Sequence, residues 1–291
     1  AWCRNNLGWL ERFGSLIRMS ASAPFSVHPV STAAQARDFY QLRREIYRGN
    51  EVVVFPLKSM EKLQLDTQRH PFYQHASREM FVCYRDGCVV GRIVAIKDDL
   101  HNQQHGDRVG FFGFFEAIDD QVIVDALIDT AADWLKKQGC DSIRGPVNPS
   151  MKSDFGVLVE GTDEPPMIMT GYTLQRYEDQ LKTAGLTSIK RFLAFKYISD
   201  PADTKCKKWI RLQAAKQKIL TRYPNLELRT VSSENFDETM RDVNKLGNKV
   251  RSLGWGFVPL TPDELNFIIK NLRRVIRFDT IHVAYWDGQL V

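Results

Sequence analysis

The chain has 291 residues, 43% hydrophobic and 26% charged, which is the balance of a globular protein of about two domains. No apolar run reaches the ~18 residues that cross a bilayer as a helix. The net charge of +5 sits in one place: residues 201–230 hold eight Lys or Arg against Asp203 and Glu227, the remainder is close to neutral, and a nucleic-acid protein is not the default reading.

Residues 1–18 carry Trp2, Trp9, Leu10, Phe13, Leu16 and Ile17 among three arginines but lack the core of a signal peptide. They read either as a membrane-surface helix or as upstream sequence of little structural weight before a natural start at Met19. The second reading is preferred, and 1–24 is expected to be a poorly structured extension. Thr32–Tyr47 predicts a helix with Ala36, Phe39, Leu42 and Ile46 on one face. Glu51–Leu57 is a strand or a buried loop. Phe81–Tyr84 and Cys88–Ile96 form a hairpin about Asp86-Gly87. Asp98–Asp107 reads as a polar connection. Because a loop would present His101 and His105, with Asp98 and Asp99 nearby, no metal is assigned there.

Arg108–Pro149 is the organising stretch. Its aromatic strand leads to Asp119 and Asp120, which can cap a helix with Val124, Leu127, Ile128, Ala131, Trp134 and Leu135 on one face. Gly139 stops the helix, and Ser142–Val147 is the next strand. Such a unit predicts a parallel pair with a crossover and a ligand site beyond its carboxyl ends, where Glu116 and Asn148 lie. The irregular stretch 149–171 is long enough to read as functional. A helix over Tyr172–Ala184 and a closing strand over Leu193–Ile198 follow. Asp203–Tyr223 is a basic amphipathic helix within a 201–224 linker.

The chain also repeats. Val82 to Val90, VCYRDGCVV, matches Val283 to Val291, VAYWDGQLV, 201 positions on, and a strand and two helical segments precede each copy in the same order. The expected domains are therefore a complete unit at 25–200 and a partial second copy at 225–291, with the chain stopping inside that copy. Five cysteines without a CxxC pair fit a reducing, cytoplasmic compartment.

The element order over 25–198 resembles the GNAT acyltransferase fold. The motifs GFFGFFEAIDD, IRGPVNPS and GVLVEGTDEPPM together resemble a bacterial family of double-GNAT proteins, the YghO and ceramide synthase-like N-acyltransferases, over roughly residues 25–291. The resemblance implies an α/β fold, a GNAT-like mixed sheet flanked by helices followed by the first half of a second GNAT-like copy. It implies acyl transfer from acyl-CoA, a cosubstrate and not a tightly bound cofactor, to an amine that is a sphingoid base in the ceramide synthase branch. Matched residue by residue, it places Phe112, Gly113, Phe114 and Phe115 on the strand whose backbone holds the thioester. It makes Glu116 a candidate base, Tyr177 a candidate acid, Asn148 a substrate contact and His101 a catalytic or structural polar residue.

Plainer readings stand beside these: a solvated strand-end carboxylate for Glu116, a packing tyrosine for Tyr177, and a turn start for Asn148-Pro149. The glycine loop that cradles CoA pyrophosphate in GNAT proteins is absent, and Asp119 and Asp120 stand in its place, so the first domain alone is predicted to hold CoA poorly. Three functions follow. One is a truncated N-acyltransferase; the second is a non-catalytic binding protein or degenerate remnant; the third, behind both, is a nucleic-acid binder working through 205–222. The basic stretch 205–222 reads first as a solvated inter-domain helix, or as a peripheral contact with the anionic inner membrane, an acyl carrier protein or nucleic acid.

Overall fold

A computed structural model describes residues 2–5, 24–167, 170–196, 207–252, 254–274 and 276–291. The chain divides into two compact units, 1–191 and 192–291.

The first unit runs β1 (Trp2–Asn5), β2 (Phe25–Pro29), α1 (Ala33–Ile46), α2 (Lys58–Gln64), β3 (Ala76–Arg85), β4 (Cys88–Asp98), α3 (Asp99–His105), β5 (Val109–Ala117), α4 (Gln121–Lys137), β6 (Ser142–Gly145), β7 (Val147–Asn148), β8 (Asp154–Phe155), α5 (Arg176–Thr183) and β9 (Thr187–Ser188). Seven strands form one sheet in the order β2-β3-β4-β5-β6-β1-β9. Only β5 and β6 are parallel, which makes this a mixed sheet flanked by helices.

Local chemistry explains the elements. Asp86 and Gly87 take φ of 51° and 75°, the left-handed pair that lets a two-residue turn follow strand twist between β3 and β4. Thr32 and Gln35 close a capping box at α1. The apolar face of α4, including Val124, Leu127, Ile128, Ala131 and Leu135, is buried in a core with Phe112, Phe115 and Ile143. The opposite face of the sheet packs Phe39 of α1 with Phe111 and Phe114. Strand alternation has a period of two, so Phe111 and Phe114 can share a face only if an extra residue lies between them. The register shows it: Val94 pairs with Gly113 but Arg92 pairs with Glu116, a bulge in β5.

Three expectations change. The stretch from Asp98, read as a loop, contains helix α3, because the Asp98 side chain caps it at His101 N–H and Gly106 ends it at φ 64°. The N-terminal extension contributes β1, antiparallel between β6 and β9, and Trp2 is only 3% exposed; the membrane-surface helix lies outside the described residues. No strand forms over 193–196, since the place beside β6 is taken by β1, and Leu193 and Phe195 are 81% and 89% exposed; residues 197–198 lie outside the described ones. Trp2→Ala is expected to cost about 3–5 kcal/mol of stability, read as a lowered urea midpoint. An unchanged midpoint would take β1 out of the sheet.

The second unit holds α6 (Lys207–Arg222), β10 (Leu226–Thr230), α7 (Phe236–Arg251), α8 (Pro262–Leu272), β11 (His282–Trp286) and β12 (Gln289–Leu290). Its order of strand, two helices and hairpin repeats β2, α1, α2, β3 and β4. The pairing repeats as well: Phe25 faces Arg85 in the first unit and Leu226 faces Trp286 in the second. Asp287 and Gly288 again turn at positive φ. Val231, Phe236, Leu265 and Ile269 form a small core. In α6, Ile210, Leu212 and Ile219 are exposed.

Candidate active site

Strands β5 and β6 pair from Val109 opposite Ser142 to Phe111 opposite Arg144, and the pairing ends there. Beyond that point the backbone of residue 147 presses on β5 at Gly113, where a Cβ would lie 1.6 Å from the Val147 carbonyl oxygen. One residue on, Phe114 sits at φ 50° and donates its N–H to Asn148 Oδ1 at 2.6 Å. A left-handed phenylalanine inside a strand is a strained bulge held by its surroundings. It aims Phe114, Phe115 and Glu116 at a cavity of about 370 Å³. Further walls come from Val54, Phe55, Pro56 and Met60, from the long loop at Asp154 to Val157, at Met167 and at Thr170 to Thr173, and from Tyr177 of α5.

Glu116 is the chemical centre of this wall, 5% exposed. Its Oε2 accepts from the Tyr177 hydroxyl at 2.8 Å, and its Oε1 lies 3.2 Å from Arg43 Nε. Arg92 is its cross-strand partner and is itself buried, donating to Glu61 at 3.1 Å and to the Phe39 carbonyl at 2.8 Å. Tyr47 is buried near the same carboxylate, its hydroxyl short of hydrogen-bond geometry. Burial raises the Glu116 carboxyl above the ordinary glutamate range, against the pull of Arg43 and Arg92. Burial and then the Glu116 charge push the Tyr177 phenol well above its usual value, so it stays neutral and donates. Its oxygen also receives the Ala117 N–H at 3.1 Å, which fixes the ring. Asp154 on the cavity wall is raised by burial as well.

The structure thus brings Glu116, Tyr177, Asn148, Phe114 and Phe115 to one cavity and leaves three expected residues out. Phe112 is fully buried in the α4 core and lines nothing. Gly113 serves close backbone approach. His101 is buried beside Phe111 and His105, 4.8 and 4.4 Å between ring centroids, with Asp107 at 3.7 Å. Burial lowers its pKa to about 4. Its neighbour Asn102 accepts from Val109 N–H at the start of β5, so the His101-Asn102 pair packs the far end of the strand. Among the described residues, no group of three or more His, Cys, Asp or Glu is arranged to hold a metal ion.

The amino end of α4 is closed by carboxylates. Asp120 caps it through Val122 N–H at 2.9 Å and pairs with Arg85 at 2.8 Å. Asp119 accepts from Gln180 at 3.0 Å.

Against known proteins, no family model matches the chain. Bacterial ceramide synthase from Caulobacter vibrioides is 28% identical over 272 residues, 93% of this chain and 69% of that protein. Protein YghO from Escherichia coli is 29% identical over 226 residues, 76% of this chain and 55% of that protein. The chain is a relative of these two proteins. It spans a little over half the length of YghO and about two thirds of the ceramide synthase. Among solved structures, an aminoglycoside acetyltransferase from an uncultured soil metagenomic sample matches 60% of this chain and 97% of its own at 9% identity, with a TM-score of 0.36. AAC(6')-Iy, in complex with a bisubstrate analog of CoA, matches 61% and 100% at 12% identity, with a TM-score of 0.37. Scores this low carry no weight; the sheet order above describes the fold.

With this kinship in hand, the residues that pattern reading misses are Arg43, Tyr47, Arg92 and Asp154. A signal for Arg92 was present: one arginine inside the apolar run VVGRIVAI must be buried and therefore paired. Arg43 in the last turn of α1 and Tyr47, its C-cap residue, lie four apart and share a side facing Glu116.

Proposed function

We propose that this chain is an N-acyltransferase unit of the GNAT type, moving an acyl group from acyl-CoA to an amine. The observation that supports this best is the buried Glu116 carboxylate, held by Tyr177 and Arg43 in the wall of a cavity at the parted ends of two parallel strands. The amine nitrogen attacks the thioester carbon and forms the C–N bond; the C–S bond breaks and sulfur leaves with its electron pair. The proton lost by nitrogen goes to Glu116, which burial makes a stronger base than an ordinary carboxylate. Tyr177 can give its proton to the thiolate only as Glu116 returns one, because its own ionisation is disfavoured. Arg43 keeps the carboxylate oriented. The apolar wall of Val54, Phe55, Met60, Phe155, Val157 and Met167 suits a hydrocarbon chain, and a sphingoid base fits that wall and the name of one relative.

The usual helix-end cradle for CoA phosphates does not fit here, since Asp119 and Asp120 close the amino end of α4. That closure favours a second reading, a binding protein without catalysis. Mass spectrometry of the purified chain with acyl-CoA of short and long chain and a long-chain amino alcohol separates the two. Amide product is the expected result; tight binding without amide formation would leave the second reading.

A further inference from the structure

Outside the cavity, α1 and α2 enclose a groove of about 1000 Å³, with Arg37, Arg44, Arg48, Lys58, Lys62 and Arg78 on its walls. The acids in the same walls are already engaged. Glu61 pairs with Arg92 at 3.1 Å, Glu45 accepts from Gln41 at 2.7 Å, and Asp66 accepts the Gln68 and Arg69 N–H groups at 3.0 Å. Arg78 is tied to the Leu65 carbonyl. Arg44 reaches the Pro56 carbonyl at 3.3 Å and lies 4.8 Å over Phe55, which leaves most of its five N–H donors open. Lys62 lies 5.9 Å over the Tyr40 ring. Among the described residues, no carboxylate lies within ion-pair distance of Arg44, Arg48, Lys58 or Lys62. Six cations against the three carboxylates of Glu45, Glu61 and Asp66 leave one recess with an excess of positive charge, a field that a multiply charged anion neutralises. The groove adjoins the cavity: Glu61 lines both, and Arg44 holds Pro56, which lines the cavity.

We infer that this groove binds the phosphate groups of a substrate whose other end enters the cavity. Only the direction in which that substrate extends rests on the acyl-transfer reading. With the end of α4 closed, the groove offers phosphate an excess of positive charge beside the cavity. The test is a titration of the full chain with inorganic pyrophosphate at constant ionic strength, followed by amide resonances. Saturable shifts confined to residues 33–68 and Arg78, and a Kd weakened at least tenfold in the double variant Arg48→Ala, Lys58→Ala, are expected. Both side chains are exposed, so the variant keeps the wild-type spectrum elsewhere. A parallel arm compares vesicles of phosphatidylglycerol with vesicles of phosphatidylcholine. Retention on the anionic vesicles alone, lost in the double variant, assigns the phosphate to a lipid headgroup; pyrophosphate binding without retention assigns it to a soluble ligand. Shifts clustered on 207–222, or binding equal in variant and wild type in both arms, overturn the groove. Pyrophosphate binding without amide formation keeps the groove and removes the acyl-transfer reading. Amide formation with a donor and acceptor KM unmoved by the double variant does the reverse.

Discussion

Glu116→Gln is expected to slow amide formation by about 10²–10⁴-fold, the usual worth of a positioned general base. Glutamine keeps the volume; its one amide oxygen can face Arg43 while its NH2 donates to the Tyr177 hydroxyl, which can turn its own proton to the Ala117 carbonyl at 3.3 Å, so the cavity wall survives while the proton acceptor does not. Stability should move differently from rate. The folded Glu116 carboxyl is raised above its unfolded value, chiefly by burial. Its contribution is therefore present below the unfolded value, about pH 4.3, and is lost as pH rises through the raised folded value. Glutamine does not ionise and escapes that loss. The variant should unfold at a urea midpoint no lower than wild type at neutral pH, with the gap closing on acidification. A variant that loses activity because it is largely unfolded would instead make Glu116 a structural residue.

Gly113→Ala should be the most disruptive single methyl in the first unit. Gly113 is not among the glycines at positive φ, so the effect is steric alone. An added Cβ would lie 1.6 Å from the Val147 oxygen, 2.7 Å from its carbonyl carbon and 2.9 Å from Asn148 Oδ1. The first two are backbone atoms and cannot rotate aside. Relief requires moving β7 off β5, which breaks the 2.6 Å bond from Phe114 N–H to Asn148 and releases the bulge that aims Glu116. We expect a loss of about 3 kcal/mol or more from overpacking and the broken hydrogen bond, together with loss of activity in whatever fraction stays folded. Wild-type stability in this variant would mean that the chain after β6 does not cross β5 here.

Much of the frame was legible because it rests on local rules. The apolar stripe of α4, its Asp120 cap and the Asp-Gly turns follow from short-range spacing, and the parallel pair from one strand–helix–strand run, Val109 pairing with Ser142 across the α4 crossover. The site was legible along β5 and on α5, where Glu116 and Tyr177 sit at strand end and helix face. Its electrostatic frame was not, because Arg43 and Arg92 reach Glu116 from a distant helix and from the neighbouring strand, and such pairs leave no local pattern. The bulge at Phe114 was hidden too, since the alternation of aromatics in FFGFF suits either face. Non-local competition for a sheet position explains why β1 forms and the closing strand does not over 193–196.

The central claim is that the buried carboxylate of Glu116 takes the proton of the attacking amine. Its most direct test is the pH dependence of amide formation by wild type and by Glu116→Gln, with acyl-CoA and a long-chain amino alcohol. The account predicts a wild-type rate that climbs with pH through the raised carboxyl value, and a Gln variant that is slow and lacks that rise. Equal rates with superimposable profiles would contradict it.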